Sequence, residues 1–140
     1  MQWLNVEQNL LSSIDISNNI NISQLSISYN LINELDLSNN IELFQLVATN
    51  TLIEDVDLSM LFNLYWLDIS SSKLKNIILP NSSLDNLNLS YNYLTDIDLS
   101  NISNLGNISL NDNLLLNLDL SNNLSIQSLY ATNNLFNCIT

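Results

Sequence analysis

The string Leu-Asp-Leu-Ser-Asn-Asn at residues 35–40 returns unchanged at 118–123, and Ile97-Asp98-Leu99-Ser100-Asn101 is a near-copy. Aligning the copies gives units that begin at Met1, Ile22, Leu43, Leu64, Leu84, Leu105 and Ile126, 21 residues apart except for the fourth, which has 20. A fixed period is a severe constraint, because every copy must take one conformation and can bury its apolar positions only against the next copy. Slot 4 of the unit holds Leu4, Leu25, Leu46, Leu67, Leu87, Ile108 and Leu129; slot 11 holds Leu11, Ile32, Ile53, Leu74, Leu94, Leu115 and Phe136. Slots 14 and 16 are apolar in the same way, from Ile14/Ile16 to Leu118/Leu120. Residues 1–140 are therefore expected to form a single solenoid domain.

Within the unit, apolar residues alternate at slots 4 and 6, the period of a short strand, so each copy should add one strand to a parallel sheet. Slot 9 carries Asn9, Asn30, Asn92, Asn113 and Asn134, with Thr51 and Ser72 in the third and fourth copies. An amide at a bend can donate to and accept from backbone groups that the bend leaves unpaired. The hydroxyls have less of that capacity, which makes the middle of the array its expected weak turn. Asp15, Asp36, Asp57, Asp98 and Asp119 share slot 15, each two residues before a serine, the spacing of a side chain that accepts a backbone N–H two residues on. The remaining return path is rich in Asn, Ser and β-branched residues, which favour turns and extended backbone over helix. The fourth copy, with its missing residue, Pro80, Ser72 and Ile78 in place of the aspartate, is expected to perturb stacking and curvature. Leu61 and Ile102, which replace asparagine in slot 19, should point inward.

The unit LxxLxLxxNxLxxLDLSxNxx resembles the leucine-rich repeat, whose signature is LxxLxLxxN. Its length and its second half are similar to the short bacterial type of internalin-like surface proteins. The resemblance covers the whole chain and implies a leucine-rich repeat solenoid, with a parallel β-sheet on the concave face, little or no helix, and turns and extended segments on the return path. It implies a bacterial cell-surface or secreted setting and a protein-binding or glycan-binding role, without naming a ligand, because the fold serves many functions. Internalin-like relatives often carry cysteine at slot 6; here Ala48 and Ala131 stand in that slot.

Net charge is −12, with Lys73 and Lys75 the only cationic side chains. An acidic chain is a poor match for nucleic acid or an anionic membrane, so neither is an expected partner. No apolar stretch is long enough for membrane insertion, and the first residues lack the basic start and apolar run of a signal peptide. Cys138 is the single cysteine, which excludes an intramolecular disulfide and a cysteine-built zinc site.

Catalysis is not expected. There is no histidine to act as a base and no phosphate-binding glycine loop. The paired carboxylates Glu34/Asp36, Glu54/Asp55/Asp57 and Asp96/Asp98 recur at repeat spacing, as solvated turn residues would. Calcium could sit in a column of slot-15 aspartates. Turn capping is the preferred reading, and no metal or other cofactor is predicted. Lys75, in line with Glu54 of the preceding copy, should neutralise part of the cluster.

The concave face is the expected ligand-binding surface. Its solvent-facing slots, taken as 2, 3, 5, 7 and 8, are mostly Ser, Asn, Gln and Thr. Copies three and four differ: Phe44 and Tyr65 share slot 2, Val47 and Asp68 share slot 5, and Trp66 is next to Tyr65. Tyr29 and Tyr91, in slot 8, are expected to border this group. Aromatic residues beside a carboxylate have the composition of an interaction hot spot. For Phe44 and Tyr65, burial under the sheet edge is an equal alternative; for Trp66, exposure is favoured. The function expected is a non-catalytic binding module for a protein or glycan, the alternative being a spacer in a larger surface protein. Met1 is already in register and the chain stops at slot 15 of the seventh copy, so the domain reads as an uncapped excerpt of a longer protein, or one whose ends meet partners, self-association included.

Overall fold

The computed structural model describes residues 1–140. Seven three-residue strands occupy slots 3–5 of successive copies: β1 (Trp3–Asn5), β2 (Gln24–Ser26), β3 (Gln45–Val47), β5 (Trp66–Asp68), β7 (Asn86–Asn88), β8 (Asn107–Ser109) and β10 (Ser128–Tyr130). They form one parallel sheet in chain order, β1-β2-β3-β5-β7-β8-β10, and no helix is present. Strand register follows the repeat: Leu4 pairs with Leu25, Leu25 with Leu46, Leu46 with Leu67, Leu67 with Leu87, Leu87 with Ile108 and Ile108 with Leu129.

On the return path, β4 (Asp55–Asp57) pairs with β6 (Asn76–Ile78), and β9 (Asn117–Leu118) pairs with β11 (Cys138–Ile139), both in parallel. Between the two walls lies one continuous apolar core of 29 buried residues, contributed mainly by slots 1, 4, 6, 11 and 16. Leu61 and Ile102 are part of it, as their replacement of asparagine predicts.

The asparagine of slot 9 ties neighbouring coils together. Asn92 is representative: its Oδ1 accepts from the N–H of Leu74 at 2.9 Å, and its Nδ2 donates to the carbonyls of Ile69, Leu89 and Ser90. The same acceptance is made by Asn30 from Leu11, Asn113 from Leu94 and Asn134 from Leu115. Thr51 and Ser72 do not reproduce it. Their hydroxyls bond to each other at 3.0 Å and to the carbonyl of Ala48, so the buried Ile32 and Ile53 lack the amide acceptor their counterparts have.

Slot 8 carries a regularity that composition conceals. Gln8, Tyr29, Asn50, Ser71, Tyr91, Asp112 and Asn133 all have positive φ, between 53° and 59°, and none is glycine. Each coil turns off its strand through a left-handed residue, a conformation that costs a non-glycine side chain about 1–2 kcal/mol and persists because the slot-9 side chain, an amide in five copies and a hydroxyl at Thr51 and Ser72, bonds carbonyls of the turn.

The fourth copy departs from expectation in part. Its missing residue leaves the concave sheet undisturbed, since Trp66, Leu67 and Asp68 keep full register on both sides. Residues 76–78, far from loosened, form a strand against β4. The deletion is absorbed afterwards. In copies one, two, three and six, the slot-19 N–H donates to the slot-16 carbonyl and the next slot-1 N–H to the slot-19 carbonyl, as from Asn40 to Leu37 and from Leu43 to Asn40. The segment Leu79–Leu84 makes neither bond, and the buried hydroxyl of Ser82 has no partner.

Candidate functional site: the concave face

Side chains of slots 3 and 5 project outward from the sheet, while slot 4 faces the core. Slot 2 lies just before each strand and extends the face at one edge. There Phe44 and Tyr65 are 45% and 37% exposed and stack on one another, ring centroids 5.1 Å apart and planes within 2°. They are not core residues. Their rings cover each other and leave a flat aromatic surface facing solvent.

The stack is anchored by the next coil. The hydroxyl of Tyr65 donates to Asp85 Oδ2 at 3.0 Å, and Asn86 Nδ2 donates to the same oxygen at 2.7 Å. The Asp85 carboxylate, as hydrogen-bond acceptor first and as charge second, holds the Tyr65 pKa above the usual 10.0. Gly106, the only glycine, follows in slot 2, and a Cβ there would come within 2.4 Å of Asp85 Oδ1. Slot 2 thus runs Phe44, Tyr65, Asp85, Gly106, with Tyr65 stacked on Phe44, Asp85 bonded to Tyr65 and Gly106 leaving room for Asp85.

Trp66 is 43% exposed and pairs across the sheet with Gln45 and Asn86. Val47 and Asp68, directly paired in slot 5, are half-buried. Asp68 is already engaged: Ser70 N–H donates to its Oδ1 at 2.9 Å and Asn88 Nδ2 to its Oδ2 at 3.1 Å. A ligand would meet it as an oriented acceptor. Beyond Trp66 the sheet forms a shallow hollow of about 180 Å³, with Asn86, Asn88, Asn107 and Ser109 on its floor and Tyr130 at its far side.

The structure brings Phe44, Val47, Tyr65, Trp66 and Asp68 onto one patch. Tyr29 and Tyr91 are exposed but sit in the left-handed turns past the strand ends, on the rim opposite Phe44 and Tyr65. Slot 7, expected to face solvent, is mostly buried or half-buried, because its side chains bond to the adjacent coil, as when Thr49 N–H donates to Ser28 Oγ.

One apolar row escaped the sequence reading. Slot 10 holds Leu10, Leu31, Leu52, Tyr93, Leu114 and Leu135, all except half-buried Leu52 exposed, and only Lys73 interrupts the row. Five leucines at one slot were the available signal. Their position next to the core residues of slot 11 hides it, since neighbouring apolar slots look like one core.

On the return path the slot-15 aspartates cap turns. Ser17, Ser38, Ser59, Ser100 and Ser121 donate their N–H to the preceding aspartate at 2.9–3.0 Å. These bonds hold the five carboxyls below the usual 3.8; the serine hydroxyl is the larger cause at Asp15, Asp57 and Asp98, and the N–H at Asp36 and Asp119. No three carboxylates converge as metal ligands would. Lys75 reaches Glu54 at 2.6 Å, both well exposed, and the bond to Glu54 raises the pKa of the lysine.

Among solved structures, the functional domain of InlJ from Listeria monocytogenes, described as including a cysteine ladder, is similar over 94% of this chain, with 29% identity and a TM-score of 0.87. This chain has the leucine-rich repeat fold. An internalin of the same organism, InlF, matches over the full chain at 24% identity and a TM-score of 0.81, and a leucine-rich repeat protein of Leptospira interrogans at 21% and 0.88. The chain spans 30%, 43% and 39% of those three structures. No protein-family model matches it, nor does any curated protein. With one cysteine, this leucine-rich repeat chain cannot form a ladder like that of InlJ. No helix is long and apolar enough to cross a membrane.

Proposed function

We propose that this chain is a non-catalytic binding module that recognises a protein or glycan through its concave face, with Phe44, Tyr65 and Trp66 as anchors. The observation that carries the reading is the exposed aromatic cluster of copies three and four, a stacked Phe44–Tyr65 pair with Trp66 next to it, on a face whose other strand aromatics, Trp3 and Tyr130, stand in the two terminal copies. Stacked rings supply apolar contact with few rotatable bonds to immobilise, and Asp68, Asn86 and Asn88 offer oriented hydrogen-bonding groups beside them. The face carries no cation, so the ligand is neutral or basic. A bacterial surface or secreted setting is part of the same reading and rests on likeness to the two Listeria proteins.

The alternative, a spacer between other domains, is favoured by copies two and six, whose Gln24, Ser26, Asn107 and Ser109 provide no anchor. Screening the wild-type chain and Trp66→Ala against arrayed glycans and a displayed panel of extracellular protein domains separates the two. The binding reading expects ligands that the wild type retains and Trp66→Ala loses by about 30-fold, equivalent to about 2 kcal/mol. Ligands bound equally by both, with the fold intact, would favour the spacer.

A further inference from the structure

A second surface, on the opposite side of the solenoid from the aromatic patch, has the shape and charge of a docking groove. Across the return path of copies two to four lies a hollow of about 490 Å³ lined by Glu34, Leu35, Asp36, Asp55, Val56, Asp57, Asn76, Ile77 and Ile78. Smaller hollows of about 290 Å³ and 280 Å³ continue it, one past Ser38 and Met60 and the other past Asn33 and Leu52.

Its chemistry alternates. In β4, Val56 is buried while Asp55 and Asp57 on either side are exposed, and in copy two the half-buried Leu35 stands between exposed Glu34 and Asp36. Leu35, Val56 and Ile77 make an apolar floor, and four carboxylates line its edges. Ile78 takes the place of the slot-15 aspartate and stands 56% exposed at one wall, apolar where the other complete copies are charged. The one nearby cation, Lys75, is bound to Glu54. Solvent leaves these charges weak singly, but four of one sign around a concave apolar strip complement a positive partner.

We infer that this groove docks an extended segment of a partner protein in which lysine or arginine alternates with apolar residues. The apolar side chains would sit on Leu35, Val56 and Ile77, and the flanking cations would meet Asp55, Asp57, Glu34 and Asp36. In an extended segment residues two apart lie on one face, about 6.6 Å from each other, so its apolar side chains can follow the row Leu35, Val56 and Ile77 across neighbouring coils while the long cationic stems reach back to the carboxylates on either edge.

The test uses three labelled nine-residue peptides, alternating Lys-Leu, Lys-Ser and Gln-Leu, with fluorescence anisotropy on the whole chain. Two double variants carry the same change of charge, Asp55→Asn/Asp57→Asn in the groove and Asp98→Asn/Asp119→Asn outside it. Asparagine can still accept the capping N–H, and circular dichroism confirms that each variant is folded. The Lys-Leu peptide should bind, with tenfold or greater loss in the groove variant and less than twofold change in the outer variant and in Trp66→Ala. The Lys-Ser and Gln-Leu peptides should bind at least tenfold more weakly. Equal loss in both double variants would reduce the effect to the net charge of −12. That result, binding of Lys-Ser as tight as Lys-Leu, or no binding of Lys-Leu to the wild type, overturns the proposal.

Discussion

At the scale of single residues, the turn off each strand is held by two positions that work together. Slot 8 is left-handed in every copy, and slot 9 bonds the carbonyls around it, through an amide in five copies and a hydroxyl at Thr51 and Ser72. A β-branched residue fits the left-handed region poorly, so Asn50→Val should lower stability by about 2 kcal/mol, read as a reduced midpoint in chemical denaturation. An unchanged midpoint would mean that the turn relaxes freely. The slot-15 aspartates set a dependence on acid. Their carboxyls titrate below the usual 3.8 in the folded chain because Ser N–H and hydroxyl groups bind the charged form. The stabilisation is present above the unfolded pKa and is lost as pH falls through the lower folded values. Protonation also relieves the repulsion of −12 charges, a gain shared by both states and screened by salt. In 0.15 M salt the thermal midpoint should therefore fall as pH is lowered from 5 to 2, and replacing all five aspartates with asparagine, which still accepts the N–H, should flatten that fall. A midpoint that rises on acidification would show that charge repulsion is the larger effect.

At the scale of the coil, the third and fourth copies are where the ladder is incomplete. Thr51 and Ser72 satisfy each other but offer no acceptor to the buried N–H groups of Ile32 and Ile53 in the way Asn30 does for Leu11. Restoring the amide should help: Thr51→Asn and Ser72→Asn together should stabilise the chain by about 2 kcal/mol, one hydrogen bond's worth at each site. Equilibrium denaturation that showed a loss would mean that the Thr51–Ser72 pair is the better arrangement here. The sequence announced most of this level, because slots 4, 9, 11 and 15 repeat residue types whose chemistry has one use at a bend or in a core. It concealed the rest for physical reasons. The left-handed slot 8 holds Gln, Tyr, Asn, Ser and Asp, so composition carries no mark of the backbone angle. The burial of slot 7 depends on hydrogen bonds to a coil 21 residues away. The pairing of β4 with β6 turns on local geometry that neither Asp55–Asp57 nor Asn76–Ile78 betrays by strand propensity alone.

At the scale of the whole molecule, stacking converts sequence spacing into surface. Phe44, Tyr65 and Trp66, about twenty residues apart as two groups, become one aromatic patch because their strands are neighbours. The patch was legible from slot arithmetic, whereas the Tyr65–Asp85 bond and the role of Gly106 required coordinates, since Asp85 and Gly106 look unremarkable in slot 2. Tyr29 and Tyr91, expected to border the patch, are exposed on the rim opposite Phe44 and Tyr65, because slot 8 lies past the strand ends. The central claim, that the patch is a ligand-binding surface, can be measured directly through its own indole. Trp3 and Trp66 are the only tryptophans, so Trp3→Phe leaves a single indole, excited selectively over the five tyrosines, in the patch. Titrating that variant with a ligand from the glycan or protein panel should shift or quench Trp66 emission saturably, at the affinity found for the wild type. A ligand that binds at full affinity while Trp66 emission and its accessibility to iodide stay constant would contradict the account.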